Sequence, residues 1–168
     1  SVLNNDIFTE LVQNSSIGDS TFKILSALSE APKELVPSMY WWATNKLWYL
    51  NTKPAIERIN QRELLEVIMH RVISLEPNYD YGGAYRFFGV FYSRIPGVEL
   101  SQSKTYFEKA ISSNEAYFGN QVQMSEFYYQ KSEDKTSFIE QLEYVKSLDA
   151  SISNSNIPEN LYYQKRSN

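Results

Sequence analysis

Residues 80–110, DYGGAYRFFGVFYSRIPGVELSQSKTYFEKA, decide the fold. Asp80 can cap a helix on which Tyr85, Phe88, Gly89 and Tyr92 fall at i, i+3, i+4 and i+7, one face at helical period. Pro96-Gly97 ends that helix. Ser101 can cap a second, on which Ser103, Phe107 and Ala110 share a face. A small residue on each side, Gly89 against Ser103 or Ala110, lets two antiparallel backbones approach while rings fill the flanks. This is the chemistry of packing, not of catalysis.

The spacing resembles the tetratricopeptide pattern, a helical hairpin of about 34 residues. Its second half recurs upstream, where Leu65, Met69, Val72 and Pro77 stand at the repeat's positions and SLEPNYD matches the turn between repeats. Extra residues around Gly82-Gly83 and in the Pro96–Glu99 turn make the repeats degenerate.

Composition narrows the function. With 168 residues, 42% of them hydrophobic and 21% charged, the chain reads as one domain with a real core, spanning 1–168. A net charge of −4 with no basic cluster argues against nucleic acid as a partner. No cysteine is present, which removes thiol catalysis and cysteine zinc sites and leaves disulfides silent on compartment. No apolar run approaches the roughly 18 residues that a membrane span needs. The chain opens on Ser1 rather than Met, so an upstream segment is expected to have been removed.

In chain order, residues 1–30 read as a helical pair. Ile7, Phe8, Leu11 and Val12 stripe its first helix, 14–18 is the turn, and Asp19 or Ser20 caps the second. The triplet Asn14-Ser15-Ser16 fits a glycosylation acceptor by spacing alone. Residues 37–150 then form three degenerate hairpins. Pro37 opens the first. Tyr40, Trp41, Trp42, Trp48 and Tyr49 go nearly all the way round its leading helix, so that helix is expected to be packed on several sides. A long helix from Ile56 to Leu75 comes next. The third hairpin pairs 117–130 with a stripe of Phe138, Ile139, Leu142, Val145 and Leu148, after a break and cap at Ser132-Glu133-Asp134. Pro158 opens a last helix within 157–168, whose Leu161, Tyr162 and Tyr163 cap the open end. The expected architecture is all-α, about nine helices stacked as tetratricopeptide-like hairpins in a short right-handed superhelix.

Catalytic constellations are missing from this pattern. His70, the sole histidine, has Glu66 four residues earlier, a spacing that more often makes a surface ion pair than a metal site. Gly82-Gly83 lacks the Lys-Ser/Thr of a phosphate loop. Neither an enzyme, a metal nor a cofactor is expected.

The order of features resembles a transporter family. VPSMYWWATNKLW, SLEPNYDYGGAYRFFGVFYSRIPG, FEKAISS, QMSEFYYQKSEDKTSFIEQLEYV and ENLYYQKRS together look like the T-component family of tetratricopeptide-associated tripartite (TRAP) transporters, from Pro37 to Ser167. The resemblance implies an all-helical bacterial periplasmic lipoprotein that works beside the transporter's substrate-binding subunit, as a trimer in some members, with an interior open to a hydrophobic or organic-acid ligand. It implies lipid anchoring through an N-terminal segment absent here. Two departures stand out: Gly97-Val98-Glu99-Leu100 replaces a Gly-Gly-Asp-Pro-like turn, and only two short helices precede Pro37. The alternative reading is a general peptide-binding adaptor.

In tetratricopeptide repeats the ligand face is the concave one, set by register from the small residue of each first helix. With Ala43, Gly89 and Ser125 in that place, the expected binding set is Tyr40, Thr44, Leu47 and Trp48; Arg86, Val90 and Ser93; and Val122, Glu126 and Tyr129. Aromatic anchors at Tyr40, Trp48 and Tyr129 beside an Arg86 fork suit an apolar body carrying a carboxylate. The plain alternative for Arg86 is an ion pair with Glu126.

Overall fold

The structure, a computed structural model, describes residues 6–14 and 20–168. Its helices are α1 (Asp6–Asn14), α2 (Ser20–Ser29), α3 (Val36–Asn51), α4 (Ala55–Asn60), α5 (Arg62–Leu75), α6 (Tyr79–Arg94), α7 (Leu100–Ser113), α8 (Phe118–Met124), α9 (Lys135–Ser147) and α10 (Ile157–Arg166). No strand occurs among the described residues, as the helical periodicity requires. The turn residues from Ser15, Asp19 and the glycosylation triplet beyond Asn14 lie outside what is described, as do the side chains of Ser20 and of the stripe residues Ile7, Phe8 and Leu11. The chain divides into two compact units at the Tyr79–Asp80 bond.

In the first unit, α1 packs on α2, and α5 packs on both α2 and α3. Its core includes Leu28, Leu35, Met39, Tyr40, Leu47, Leu65, Met69 and Val72. Pro37 sits in the first turn of α3, where a missing N–H costs nothing. The expectation that α3 is packed on several sides does not hold. Of its five rings only Tyr40 is buried, edge-on to Tyr79 and Trp41, while Trp41, Trp42, Trp48 and Tyr49 are exposed. Met39, Tyr40, Ala43, Leu47 and Leu50 share one roughly 100° sector, and that sector alone is enough to dock the helix.

The single long helix expected over 56–75 is two. Gln61, at φ −100° and ψ 1°, breaks it into α4 and α5. Arg58 turns inward from the short α4 and donates to the carbonyls of Leu50 (2.9 Å) and Lys53 (3.0 Å), tying α4 to the C-terminal end of α3. There its charge also complements the helix dipole.

The second unit is built on α6, whose residues from Gly82 to Ser93 are all buried except Tyr85. Apolar side chains on every side mark a central helix. At its crossing with α7, Ser103 Oγ donates to the Gly89 carbonyl at 2.7 Å, and a Cβ on Gly89 would lie 2.7 Å from the Phe107 ring. Gly89 is there because nothing larger fits. Phe88 and Tyr92 close the flank on Tyr106, at 4.8 and 5.5 Å between ring centres.

A second cluster joins α8, α9 and α10 through Phe118, Val122, Val145 and Ala150, with Leu142, Leu148 and Tyr163 packed against it. Asn160 holds α10 in place. Its amide donates to the carbonyls of Ala116 (2.8 Å) and Ala150 (3.3 Å) and accepts from the Phe118 N–H (3.0 Å). Of the three residues expected to cap the end, Tyr163 packs inward while Leu161 and Tyr162 stay exposed. Asp134 caps α9 as expected, accepting from the Ser137 N–H at 3.0 Å. Ser101 does not cap α7, which begins one residue earlier behind Glu99.

The close crossing sets a testable cost. Gly89→Ala would gain about 1 kcal/mol of helix propensity but push a methyl into Phe107, so a net loss on the order of 1–3 kcal/mol is expected in urea unfolding. Gly89→Ala combined with Phe107→Leu should recover part of it, because the smaller side chain vacates the contact.

Candidate functional site

Asp80 is not a helix cap. Asp80, Tyr81 and Gly82 have φ of 49°, 59° and 76°, three left-handed residues in succession, and regular helix starts after them. For residues with a Cβ this conformation costs about 1–2 kcal/mol each. Gly82 is required twice over, since its φ is positive and a Cβ would approach Ser113 Cβ to 2.9 Å and the Ala110 carbonyl oxygen to 3.1 Å.

What holds the turn is Arg86, one helical turn inside α6. Its guanidinium donates to the Asp80 carboxylate (2.5 Å), to the Asp80 carbonyl (3.3 Å) and to Asn120 Oδ1 (2.8 Å). The Asn120 amide in turn donates to the carbonyls of Tyr81 (3.0 Å) and Ala110 (2.8 Å). Tyr81 stacks on Tyr117, rings 4.6 Å apart and 10° from parallel, and the Arg86 guanidinium lies 4.8 Å from the centre of the Tyr117 ring. The side chain of Arg86 is 8% exposed. Burial pushes the Tyr117 phenol far above its ordinary range, against the opposing pull of Arg86.

This geometry decides how Arg86 pairs. Glu126 is not its partner: that carboxylate takes both prongs of Arg166, at 2.5 and 2.8 Å. The fork donor expected to face a ligand faces Asp80 and Asn120 instead. An arginine in the middle of an apolar helix with an aspartate six residues before it is the signal the sequence carries for this pairing. Asn120, 34 residues downstream, carries none.

The other expected residues divide by burial. In the first unit Tyr40 and Leu47 are interior, Thr44 is half-buried and Trp48 is exposed. In the second Val90, Ser93 and Val122 are interior, whereas Glu126 and Tyr129 are half-buried. Because α6 is covered all round, register from Gly89 selects residues that pack rather than residues that face solvent.

Two clefts lie where α8 ends. The backbone there makes a π-turn over Ser125–Tyr129, with the Gln130 N–H donating to the Ser125 carbonyl at 3.0 Å. Such turns insert one residue, rotate the downstream side chains about the helix axis and recur at functional positions. Two clefts flank this one, and Gln130 lines both. The larger, about 390 Å³, lies between Tyr129 and Phe138 with Glu133, Asp134 and Lys135 at its edge. The smaller, about 280 Å³, is lined by Ser93, Arg94, Glu126, Phe127 and Lys131. In it Lys131 donates to the Ser93 carbonyl, and the Arg94 guanidinium stands 5.3 Å from the Phe127 ring centre. Ser93, Glu126 and Tyr129 are therefore the expected residues that reach a cleft within this unit. Arg94, Phe127, Gln130, Lys131, Lys135 and Phe138 have no cue in the sequence, since a π-turn leaves the 3.6-residue pattern unmarked.

Charge around Tyr129 is mixed. Desolvation raises its phenol, Lys104 lowers it, and Tyr128, Asp134 and Glu108 raise it. Asp134 itself is held low by the Ser137 hydrogen bond of its cap. No group of three or more histidine, cysteine or acidic side chains able to hold a metal exists among the described residues, and Glu66 is taken by Arg62 at 2.8 Å.

The profile of the TRAP transporter T-component family matches residues 8–168. The chain belongs to that family. A comparison with curated proteins finds no match. As a T-component it is an accessory part of a transporter. No helix among the described residues is long and apolar enough to cross a membrane.

The buried phenol gives this T-component a pH signature. A folded-state pKa above the unfolded value contributes stability that is complete below the unfolded pKa, about 10, and is lost as pH rises beyond it. Tyr117→Phe keeps the ring and removes the ionisable hydroxyl. Thermal melts from neutral to strongly alkaline pH should therefore show a shallower alkaline fall in the variant than in the parent.

Proposed function

We propose that this protein is a non-enzymatic accessory component of a bacterial TRAP-type uptake system, working in the periplasm beside the substrate-binding subunit and taking a ligand at the Tyr129–Phe138 cleft. The family match over residues 8–168 carries the reading. Lipid anchoring and self-association belong to the same proposal.

The cleft supports the ligand-binding part in its own terms. At about 390 Å³ it falls within the range of small-molecule sites. Two aromatic walls offer apolar area, and Tyr129 is already partly desolvated. Lys135 on the edge, with the charge of Lys104 reaching Tyr129, favours an anionic head group. Glu133 and ionised Asp134 share that edge, one oxygen of Asp134 being occupied by the α9 cap, so an anionic group has its place on the Lys135 side. An organic acid with an apolar body fits this description, its body between the rings and its carboxylate toward Lys135. Of the residues first expected to bind, Tyr129 stays central, and Arg86 leaves the set.

Copurifying small molecules can be identified by native mass spectrometry, and capture of the substrate-binding subunit by pull-down. Tyr129→Ala and Lys135→Ala touch half-exposed and exposed positions, so the helical signal should persist while capture falls roughly tenfold or more, a loss of about 1.4 kcal/mol. Undiminished capture by both variants would move the site away from the π-turn. Recovery of an extended peptide partner without any transporter subunit would favour the adaptor reading.

A further inference from the structure

The α3 helix leaves large rings open to solvent. At 100° per residue, Trp41, Trp42, Trp48 and Tyr49 fall within roughly 120° of arc, opposite the sector that packs into the first unit. They are 49%, 39%, 42% and 52% exposed. Rings of this size exposed together on one helix are uncommon on a soluble surface, where large contiguous apolar patches mark an interaction site. On α4, the next helix in the chain, Ile56 and Ile59 are exposed as well.

The charges among these rings identify the partner. Lys46 and Lys53 both extend over Tyr49, with their ammonium groups 5.5 and 4.8 Å from the ring centre. No acidic residue occurs anywhere in α3, although the chain as a whole carries −4. Lysine is depleted at the centres of protein–protein interfaces, whereas tryptophan, tyrosine and lysine together suit the head-group layer of a bilayer. There an indole keeps its N–H in the wet zone while its body enters the acyl boundary, and lysine pairs with lipid phosphate.

We propose that the exposed face of α3 docks on the surface of an anionic lipid bilayer, lying in the interface without crossing it. Trp41, Trp42, Trp48 and Tyr49 enter the head-group region, and Lys46 and Lys53 supply the preference for negatively charged lipid. The inference rests on this face alone and is independent of the cleft in the second unit.

All three tryptophans of the chain stand on this face, so intrinsic fluorescence reports on it without background. The full chain is titrated with phosphatidylcholine vesicles and with vesicles that also contain phosphatidylglycerol. Emission should shift to the blue and acrylamide quenching should fall, with partition on the order of tenfold or more stronger into the anionic vesicles and weakened by added salt. Lys46→Gln with Lys53→Gln should abolish most of that preference. Trp41→Ala with Trp48→Ala should weaken sedimentation with both vesicle types while circular dichroism stays unchanged, because neither ring is interior. An emission shift that tracks protein concentration in the absence of lipid would mean that a second copy covers the face, and would overturn the proposal. So would unchanged emission and quenching with both kinds of vesicle.

Discussion

A buried guanidinium governs the second unit. Arg86 could not enter an apolar helix as an isolated charge, because desolvation would far outweigh any packing gained. It enters because Asp80 turns back to meet it and because Asn120 accepts from a further donor. That turn requires three successive left-handed residues, a conformation the chain would not otherwise hold. The strain and the ion pair are therefore one device: each exists in the presence of the other. Through Asn120 the same device reaches the carbonyls of Tyr81 and Ala110, and through Tyr117 it reaches Tyr163 on α10.

That commitment shapes where binding can occur. With Arg86 spent internally and α6 covered on every side, two clefts of the second unit lie at the end of α8, on both flanks of Gln130 at the π-turn. The bidentate clasp of Arg166 on Glu126 fixes the C-terminal helix beside that turn. The T-component family to which the chain belongs is accessory to a transporter.

Much of the fold is legible in the sequence, and for a local reason. Gly89, Ser103, Phe107 and Ala110 announce a close crossing because small residues at helical spacing opposite a large ring have few other uses. Asp134 announces a cap because a short acid after a break satisfies the first N–H groups of a helix. Pro37 and Pro158 mark helix starts by the same logic. The hidden features depend on partners distant in sequence or on departures from period 3.6. Nothing near Asn120 signals that its amide will be held against Tyr81, and nothing in SEFYY distinguishes a π-turn from an α-turn. The break at Gln61 goes with Arg58 reaching back to Leu50, a tertiary contact that local pattern does not show. Size alone points the rings of α3 toward packing, yet one sector of Met39, Tyr40, Ala43, Leu47 and Leu50 suffices to anchor the helix.

Arg86 holds the left-handed turn rather than a ligand. A double-mutant cycle in urea with Arg86→Gln, Asp80→Asn and the pair tests it most directly. The account predicts that Arg86→Gln alone lowers stability by on the order of 2–4 kcal/mol, and that the two residues couple by at least about 1 kcal/mol. Additive, small effects on unfolding, together with loss of ligand capture in Arg86→Gln, would contradict it.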